Sequence, residues 1–333
     1  MKLATRKNGH RDGQLVVVSR DLLTIAAADD IAPTLQYAVE NWKDVVVELE
    51  ERYSVLNNRN WLHSEPFEEE HLLAPFPRAW QWLDGSAFLS HGERMQQAFN
   101  LPAVEGADSI PLMYQGCGDD FLSCRDPIIF RDESDGLDFE GEYAVVVDDV
   151  PLGCDEQTAL GHIRLVLQLN DVSLRTHGPR EMKTGFGFIH AKPSSAFAPV
   201  AITPDELGNT WHDGRIHLPI VIRRNGEVFG CQSGSEMNFH FGQLIAYAAT
   251  TRRLRAGTLI GSGTVSGQDI SLGASCIAEV RALETIEYGT PKTSFLRQGE
   301  KVFMETTTAE GKPLFGSIEQ YVELLPQNRN NNV

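Results

Sequence analysis

The sequence predicts an α+β fold in which strands dominate, rather than a doubly wound parallel sheet. Two observations support this prediction: strand-like apolar segments outnumber helical ones, and the two kinds do not alternate strictly along the chain. With 333 residues, the chain is long enough for two domains. The proline-containing segment 73–77 is typical of a stiff connector, so we predict an N-terminal domain over 1–76 and a second domain over 77–326. The polar end, 327–333, is predicted to be a disordered tail.

The N-terminal domain is predicted to contain a buried strand followed by a long helix. Residues 13–19 are mostly apolar and follow a charged turn, which is typical of a short buried strand. Pro33 lies near the first turn of the helix, where its missing N–H costs nothing. Apolar residues then recur at spacings of three and four and form one stripe, made of Leu35, Ala38, Val39, Trp42, Val46, Leu49 and Tyr53.

Caps, turn residues and apolar periodicity predict four further elements in the second domain. The first is a short helix that Asp155 can cap. Its apolar face is predicted to comprise Leu160, Ile163, Val166 and Leu167. The pair Asn225-Gly226 indicates a hairpin between apolar strands at 218–222 and 228–229. A helix over 241–253 and a last hairpin that pairs 301–307 with 314–318 complete the set.

Composition and charge exclude several classes of partner. The formal net charge of −17 argues against nucleic acid or an anionic membrane as the partner. No apolar run approaches the roughly 20 residues that a membrane-spanning helix needs, and the N-terminus lacks the apolar core of a secretory signal. The five cysteines are odd in number and show no C-x-x-C spacing, which favours free thiols over disulfides or a zinc site. We therefore expect a cytoplasmic protein.

Two glutamates, Glu140 and Glu142, lie two residues apart at the start of an apolar, β-rich segment. On a strand, side chains at this spacing point to the same face, so both carboxylates aim at one place. Like charges this close repel unless a cation lies between them or one of them is protonated. A hard divalent cation is one solution. The alternative is that both side chains point into solvent from an edge strand.

A glycine-rich segment spans 261–267 and includes Thr264. It follows a strand-like stretch without opening a helical pattern, so the sequence does not favour dinucleotide binding. The segment is either a tight loop or a loop whose N–H groups and Thr264 hydroxyl meet a carboxylate or an enolate. The sequence contains no G-x-S-x-G elbow, no phosphate-binding P-loop and no H-E-x-x-H motif.

Several short motifs occur in an order and at spacings that resemble those of one family. Each motif is weak evidence alone, whereas their order and spacing together are specific. They are 84–91 (DGSAFLSH), 140–142 (EGE), 170–175 (NDVSLR) with Lys192-Pro193 downstream, 254–267 (LRAGTLIGSGTVSG) and 275–279 (SCIAE). The chain thereby resembles the fumarylacetoacetate hydrolase family in its bacterial two-domain form, over nearly its whole length. This resemblance implies a small N-terminal β-rich domain, a larger mixed β-roll that carries the site, and a homodimer.

The resemblance also implies a metal site. The family binds one Mg²⁺ or Ca²⁺, with Mn²⁺ as a further option, through four carboxylates that correspond to Asp84, Glu140, Glu142 and Asp171. Oxygen-rich sites of this kind suit hard cations. Each of the two aspartates also has a structural alternative, because Asp84 precedes Gly85 and Asp171 follows an asparagine, as turn residues do.

The resemblance further implies a catalytic set. The pair that activates water corresponds to His91 and Glu279, since a neutral imidazole can take a proton from water when a carboxylate orients it. Lys192 and Arg175 correspond to the cations that stabilise the oxyanion. Substrate contacts correspond to Tyr114 and Thr264. As alternatives, Lys192 and Arg175 could be surface residues and Tyr114 a core aromatic residue.

The family reaction is hydrolysis of a carbon–carbon bond in a β-diketo acid, and we expect fumarylacetoacetate as substrate, as in tyrosine degradation. The sequence departs from eukaryotic members between Arg175 and Met182, where the oxyanion-assisting glutamine and the tyrosine after it are missing, and at Ser86, where they carry an aromatic residue. These changes leave the exact substrate open. The alternatives are an acylpyruvate hydrolase, an oxaloacetate decarboxylase or isomerase of the same superfamily, or a non-catalytic metal-binding relative.

Overall fold

The computed structural model describes residues 1–58 and 63–326. The predicted disordered tail therefore lies outside the described residues. The strands are β1 Lys2–Arg6, β2 Gln14–Val18, β3 Thr24–Ala27, β4 Glu65–Pro66, β5 Trp82–Gly85, β6 Met113–Gly116, β7 Ile128–Phe130, β8 Leu137–Asp138, β9 Gly141–Val147, β10 Ile163–Asn170, β11 Ser173–Leu174, β12 Ala196–Phe197, β13 Val200–Ile202, β14 Trp211–His212, β15 Arg215–Ile216, β16 Pro219–Arg224, β17 Glu227–Ser233, β18 Thr258–Gly261, β19 Lys301–Thr307 and β20 Pro313–Leu324. The helices are α1 Leu35–Glu40, α2 Trp42–Asn57, α3 Leu89–Phe99, α4 Glu156–Leu160, α5 Gly178–Thr184, α6 Phe241–Ala248 and α7 Ile277–Tyr288.

Within the described residues, eleven strands form one large mixed sheet. Its order is β4-β3-β2-β1-β13-β10-β9-β18-β5-β6, and β12 also pairs with β10. Most neighbours are antiparallel, whereas β18 and β5 are parallel. Because β9 pairs with both β10 and β18, and β18 pairs with β5, the sheet brings segments that are far apart in sequence to one place.

A second sheet of five strands, in the order β17-β16-β19-β20-β7, packs against one face of the large sheet. Successive side chains of β9 alternate between two cores: Val145 lies in the core between the sheets, and Val146 lies in the core on the other face. Ile222 of the small sheet shares the first core, and Leu49 of α2 shares the second. Burial on both faces explains why residues 143–147 of β9 are a continuous apolar run rather than an alternating one.

The N-terminal strands continue the large sheet, because β1 pairs with β13 of the C-terminal part. The long helix predicted there is two helices that break at Asn41, whose backbone N–H closes α1 on the carbonyl of Tyr37. The predicted stripe holds on both helices: Leu35, Ala38, Val39, Leu49 and Tyr53 are buried, and Trp42 and Val46 are partly buried against the same core. Val45 is buried as well, although it was not predicted. The predicted strand over 13–19 is confirmed as β2.

Both predicted hairpins are confirmed. Asn225 (φ 53°) and Gly226 (φ 87°) form the turn between β16 and β17, and β19 pairs with β20.

Two helix predictions were too long. Asp155 does cap α4, but the helix ends at Leu160 and the apolar residues after it belong to β10. Likewise, α6 ends at Ala248. Among the described helices, we find none that is both long and apolar enough to cross a membrane.

Candidate metal and active site

Three of the four carboxylates predicted to bind metal converge in the large sheet. Asp84 lies on β5, Glu142 on β9, and Asp171 directly after β10. Each offers an oxygen atom, and these three atoms lie within 4.8 Å of one another. The register explains the meeting: Leu169, near the end of β10, pairs with Glu142, and Gly261 of β18 pairs with Asp84. All three side chains are buried, so the solvent-exposed alternative for Glu142 is wrong.

Glu142 provides the test of whether these residues suit a cation. Its side chain is 0% exposed, and neither carboxylate oxygen has a hydrogen-bond partner among the described residues. Burial, together with the charges of Asp84 and Asp171, raises the pKa of Glu142 well above its ordinary value. Burial and the charge of Asp171 raise the pKa of Asp84 in the same way. Of the three carboxylates, only Asp171 forms an ion pair among the described residues, with Lys192. A divalent cation that prefers oxygen ligands, such as Mg²⁺, Ca²⁺ or Mn²⁺, therefore fits the three oxygens, because it supplies the positive charge that Asp84 and Glu142 lack.

The third carboxylate, Asp171, is held by hydrogen bonds from several sides. Its Oδ1 accepts from the hydroxyl of Ser195 at 2.7 Å, and its Oδ2 accepts from the hydroxyl of Tyr114 at 2.5 Å and from the ammonium of Lys192. Burial and the charge of Asp171 raise the pKa of Tyr114, so the phenol stays protonated and can donate. Tyr114 also packs edge to face on Phe188, at 5.1 Å between ring centroids. These contacts orient Asp171 toward the other two carboxylates.

Glu140 lies in a different group from the other three carboxylates. Its oxygens accept from Arg175 at 2.6 Å and from Lys192. Burial alone would raise its pKa, but the charges of Arg175 and Lys192 hold the pKa of Glu140 below its ordinary value. Glu140 is buried, and one of its oxygens lies within 4.8 Å of possible ligand atoms of His91 and Cys276. Lys192 thus links the two groups, because it contacts both Glu140 and Asp171.

Arg175 is anchored by Asp138, which the sequence did not single out as a site residue. The Nε atom of Arg175 donates to Asp138 at 2.9 Å. The fully buried Asp138 also accepts from the backbone N–H groups of Ile277 and Ala278, at 2.7 and 2.9 Å, in the first turn of α7. A carboxylate at a helix N-terminus is stabilised by the helix dipole. Asp138 therefore fixes both Arg175, which is a candidate for stabilising an oxyanion, and the helix that carries Glu279.

The predicted base, His91 on α3, contacts Glu279 on α7. The Nδ1 atom of His91 lies 2.7 Å from Oε2 of Glu279, and the two side chains are 16% and 0% exposed. The other Glu279 oxygen accepts from Ser266 at 3.0 Å and from Arg94. Burial alone would raise the pKa of Glu279, but the hydrogen bond and charge of His91 and the charge of Arg94 lower it. An ionised Glu279 favours a proton on Nδ1 of His91, which leaves Nε2 able to accept one.

Arg94 was not predicted, although a signal for it exists. It follows His91 by three residues, and residues at this spacing share a helix face. Its buried guanidinium also donates to the hydroxyl of Ser266 at 3.1 Å and to the carbonyl of Gly267 at 2.6 Å. Arg94 thereby connects the His91–Glu279 pair to the glycine-rich loop.

The glycine-rich segment is a loop that meets a carboxylate of the protein itself. The N–H of Gly263 donates to Oδ1 of Asp84 at 3.0 Å. Gly263 has φ +77°, and a Cβ atom there would overlap the carbonyl oxygen of Gly85, so only glycine fits. Thr264, predicted to contact substrate, is the next residue and is buried. The loop thus positions Asp84.

Curated proteins match about half of this chain. A 2,4-didehydro-3-deoxy-L-rhamnonate hydrolase of Sphingomonas sp. (strain SKA58) is 27% identical over 191 residues, which cover 56% of this chain and 64% of that protein. The mitochondrial oxaloacetate tautomerase fahd2 of Xenopus laevis is 26% identical over 160 residues, which cover 47% of this chain and 48% of that protein. The matches thus span about half to two thirds of these relatives.

Solved structures match over almost the whole chain. Fumarylacetoacetate hydrolase from psychrophilic Exiguobacterium antarcticum superposes with a TM-score of 0.67 at 17% identity, covering 98% of this chain and 100% of that chain. Maleylpyruvate hydrolase from Sphingobium sp. SYK-6, in complex with manganese(II) ion and pyruvate, gives a TM-score of 0.65 at 14% identity, covering 97% and 99%. At these identities the likeness concerns the fold, and it confirms the predicted architecture.

Family models account for nearly every residue. The model of the fumarylacetoacetase N-terminal domain 2 matches residues 1–78, and that of the fumarylacetoacetate (FAA) hydrolase C-terminal domain matches residues 81–323. A small N-terminal domain therefore precedes a larger mixed-sheet domain, while the boundary at residues 76 and 77 stays a prediction. The chain belongs to the fumarylacetoacetate hydrolase family.

Proposed function

We propose that this protein is a divalent-cation-dependent hydrolase that cleaves a carbon–carbon bond in a β-diketo acid. Fumarylacetoacetate is the proposed substrate, and fumarate and acetoacetate are the products. The observation that carries the proposal is the hydrogen-bonded pair His91–Glu279, which lies beside a buried cluster of carboxylates and two cationic side chains. A base, oxyanion stabilisers and a cation site are the parts that this reaction needs.

Asp84, Glu142 and Asp171 would hold the cation, with Glu140 as the proposed fourth ligand. A carboxylate oxygen has two lone pairs, so the ion pairs that Glu140 makes do not prevent it from binding a metal. The bound cation would supply Lewis acidity toward the oxygens of the dioxo group. Tyr114 and Ser195 would keep Asp171 in place for this task.

His91 is the proposed general base. Its Nε2 would take a proton from water while Glu279 stabilises the imidazolium through Nδ1. The water oxygen then bonds to a carbonyl carbon of the substrate, and the bond from that carbon to its neighbour breaks. The departing carbon keeps the electron pair of that bond and takes up a proton, which His91 can return.

Lys192 and Arg175 are the proposed oxyanion stabilisers. The ammonium of Lys192 has three N–H donors, of which Glu140 and Asp171 take two. The third can meet the oxygen that becomes negative when water attacks. Arg175, which Asp138 and Glu140 hold in place, adds positive charge from a fixed position.

A second candidate function is tautomerisation of a 2-oxo acid such as oxaloacetate. The similarity to the Xenopus laevis oxaloacetate tautomerase favours it, and the same base would serve, because His91 need only move a proton between carbon and oxygen. Acylpyruvate hydrolysis is a closely related option, since the maleylpyruvate hydrolase of similar fold is in complex with manganese(II) ion and pyruvate. Neither alternative requires a different set of residues.

The test is an assay of the purified protein with each substrate, with Mg²⁺, Mn²⁺ or Ca²⁺ and after treatment with a chelator. The absorbance of fumarylacetoacetate, maleylpyruvate and enol-oxaloacetate is followed, and products are identified by chromatography. We expect cation-dependent loss of fumarylacetoacetate with release of fumarate. Isomerised oxaloacetate without any hydrolysis would instead establish the second candidate, and cation binding without turnover of any substrate would overturn both.

The His91→Ala variant tests the assigned base. Loss of a general base costs roughly 10²- to 10⁴-fold in kcat, whereas the cation affinity measured by calorimetry should change little. His71→Ala, at an exposed histidine whose side chain contacts Glu68 rather than a site residue, is the matched control and should keep full activity. Loss of cation binding in His91→Ala would contradict the role of His91 as a base.

A further inference from the structure

A second group of possible metal ligands lies beside the carboxylate cluster. Ligand atoms of His91, Glu140 and Cys276 lie within 4.8 Å of one another. They come from three segments: helix α3, the residue before β9, and the residue before α7. The backbones of Glu140 and Cys276 are paired directly, and the N–H of Gly141 donates to the carbonyl of Ser275 at 2.9 Å, so this part of the group is rigid.

The chemistry of this group differs from that of the carboxylate cluster. Thiolate, imidazole and carboxylate are the ligands that Zn²⁺ takes in proteins, and three protein ligands with one open position are enough to hold it. The orientation of His91 also suits a metal. Its Nδ1 is hydrogen-bonded to Glu279 at 2.7 Å, which leaves Nε2 as the ligand atom. A carboxylate is one of the acceptors that histidine ligands of metals use for their other ring N–H.

We propose that His91, Glu140 and Cys276 form a binding site for Zn²⁺ and other thiophilic divalent cations, and that such an ion inhibits the enzyme. Inhibition follows because the ion would occupy the lone pair on Nε2 of His91 with which the base takes its proton. Binding is independent of the proposed function, and only the inhibitory consequence rests on it.

The surrounding charges can accommodate this ion together with a cation in the carboxylate cluster. The site region contains six carboxylates, namely Asp84, Asp138, Glu140, Glu142, Asp171 and Glu279. Among the described residues, three cationic side chains contact four of these carboxylates, namely Arg94, Arg175 and Lys192. When all are ionised, three negative charges are left over, and one divalent cation leaves a single negative charge. A Zn²⁺ ion that displaces the thiol proton of Cys276 adds one positive charge and brings the region to neutrality.

Cys276 can be replaced without disturbing the fold, which makes the proposal testable. It is the N-cap residue of α7, where its sulfur accepts from the N–H of Glu279 at 3.4 Å. Serine is among the preferred N-cap residues and has nearly the same shape. Cys276→Ser therefore keeps the start of α7 and removes the thiolate ligand.

The experiment uses Cd²⁺ as the probe, because a cadmium–thiolate bond gives an ultraviolet charge-transfer band that carboxylates do not give. Cd²⁺ is titrated into the full chain in the presence of excess Mg²⁺. We expect a band that saturates at one ion per chain in the wild-type protein and in Cys117→Ser, which lacks the exposed thiol. The band should be absent in Cys276→Ser. A band that persists in Cys276→Ser, or none in the wild type, would overturn the site.

A second variant and a second readout complete the test. His91→Gln keeps the thiol and should weaken Cd²⁺ binding at least tenfold, and unchanged affinity would remove His91 from the site. For inhibition, each variant is compared with its own rate without Zn²⁺, using whichever substrate it turns over. The Zn²⁺ concentration for half-inhibition should rise at least tenfold in Cys276→Ser, and an unchanged value would overturn inhibition. Because the Cd²⁺ band needs no turnover, failure of the proposed function leaves the binding result readable.

Discussion

Glu142 allows a prediction that separates a cation site from an ordinary buried acid. Its carboxylate is fully buried, has no hydrogen-bond donor among the described residues, and faces Asp84 and Asp171. We predict that Glu142→Gln stabilises the protein without metal at pH 7 and abolishes stabilisation by metal. If Glu142 were an ordinary buried acid, replacing it with its amide would not produce both effects together.

The magnitude follows from the raised pKa of Glu142. A carboxyl whose pKa is raised on folding favours the folded state when protonated, and this contribution is lost as the pH rises from the unfolded pKa toward the folded one. Each pH unit in that window is worth about 1.4 kcal/mol. At pH 7 the free-energy penalty of burying the charge of Glu142 therefore cannot exceed about 3.7 kcal/mol, because a carboxyl with a still higher pKa in the folded protein is protonated at this pH. With an unfolding entropy of about 0.7 kcal/mol/K for a chain of this length, removing the charge raises Tm by at most about 5 °C.

The second half of the prediction concerns the cation. At a free Mg²⁺ concentration of 100 times Kd, binding to the native state stabilises it by about 2.7 kcal/mol, or about 4 °C in Tm. Calorimetric scans at pH 7 and pH 5, with chelator or with Mg²⁺, measure both halves. The difference between the variant and the wild type without metal should shrink at pH 5. The exposed Glu323→Gln is the control, and it should behave as the wild type.

Three results would refute this reasoning. The first is a metal-free Glu142→Gln protein that is less stable than the wild type at pH 7. The second is a variant that keeps the Mg²⁺ response, which would place the cation away from Glu142. The third is a difference from the wild type that grows toward pH 5, because the sign of the pKa shift requires the opposite.

Two further predictions concern residues that hold the site together. Asp138→Asn breaks a buried ion pair and should lower stability by about 3–5 kcal/mol, or about 4–7 °C in Tm, whereas the exposed Asp29→Asn should have no effect. Arg94→Met removes the charge that orients Glu279 and should lower kcat about 10- to 100-fold with little change in KM, while Arg94→Lys recovers most of the loss. Equal kcat in both Arg94 variants would show that the charge does not act through the His91–Glu279 pair.

Much of the site could be predicted because its residues lie in short local patterns. Asp84 and His91 belong to one eight-residue motif, and Glu140 and Glu142 are separated by one residue. The alternation of a strand predicts that Glu140 and Glu142 aim at one place, and Glu142 does meet other carboxylates, those of Asp84 and Asp171. It fails for Glu140, which precedes the first residue of β9 and pairs its backbone with Cys276 instead. Strand periodicity is reliable only inside the strand.

Residues that act across long sequence separations could not be predicted. Asp138 is buried by its bonds to the start of α7, and Arg94 is buried by its bonds to Glu279 and to the loop after β18. Nothing near Asp138 in the sequence indicates its partners, and for Arg94 the only local signal is its spacing of three residues from His91. The overextended helix after Asp155 has a related cause: apolar residues such as Val166 fit a helical stripe, and pairing with β9 makes them a strand.

Lys192 connects the electrostatics of the two groups. It donates to Asp171, which belongs to the carboxylate cluster, and to Glu140, which belongs to the group with His91. Burial alone would lower the pKa of Lys192, but the charges of Asp171 and Glu140 raise it, so the ammonium stays charged. A cation that shares the oxygens of Asp171 draws its negative charge away from Lys192 and weakens that ion pair. On the proposed mechanism, occupation of the carboxylate cluster would therefore make the Lys192 ammonium more available to an oxyanion, and this one side chain would couple cation binding to oxyanion stabilisation.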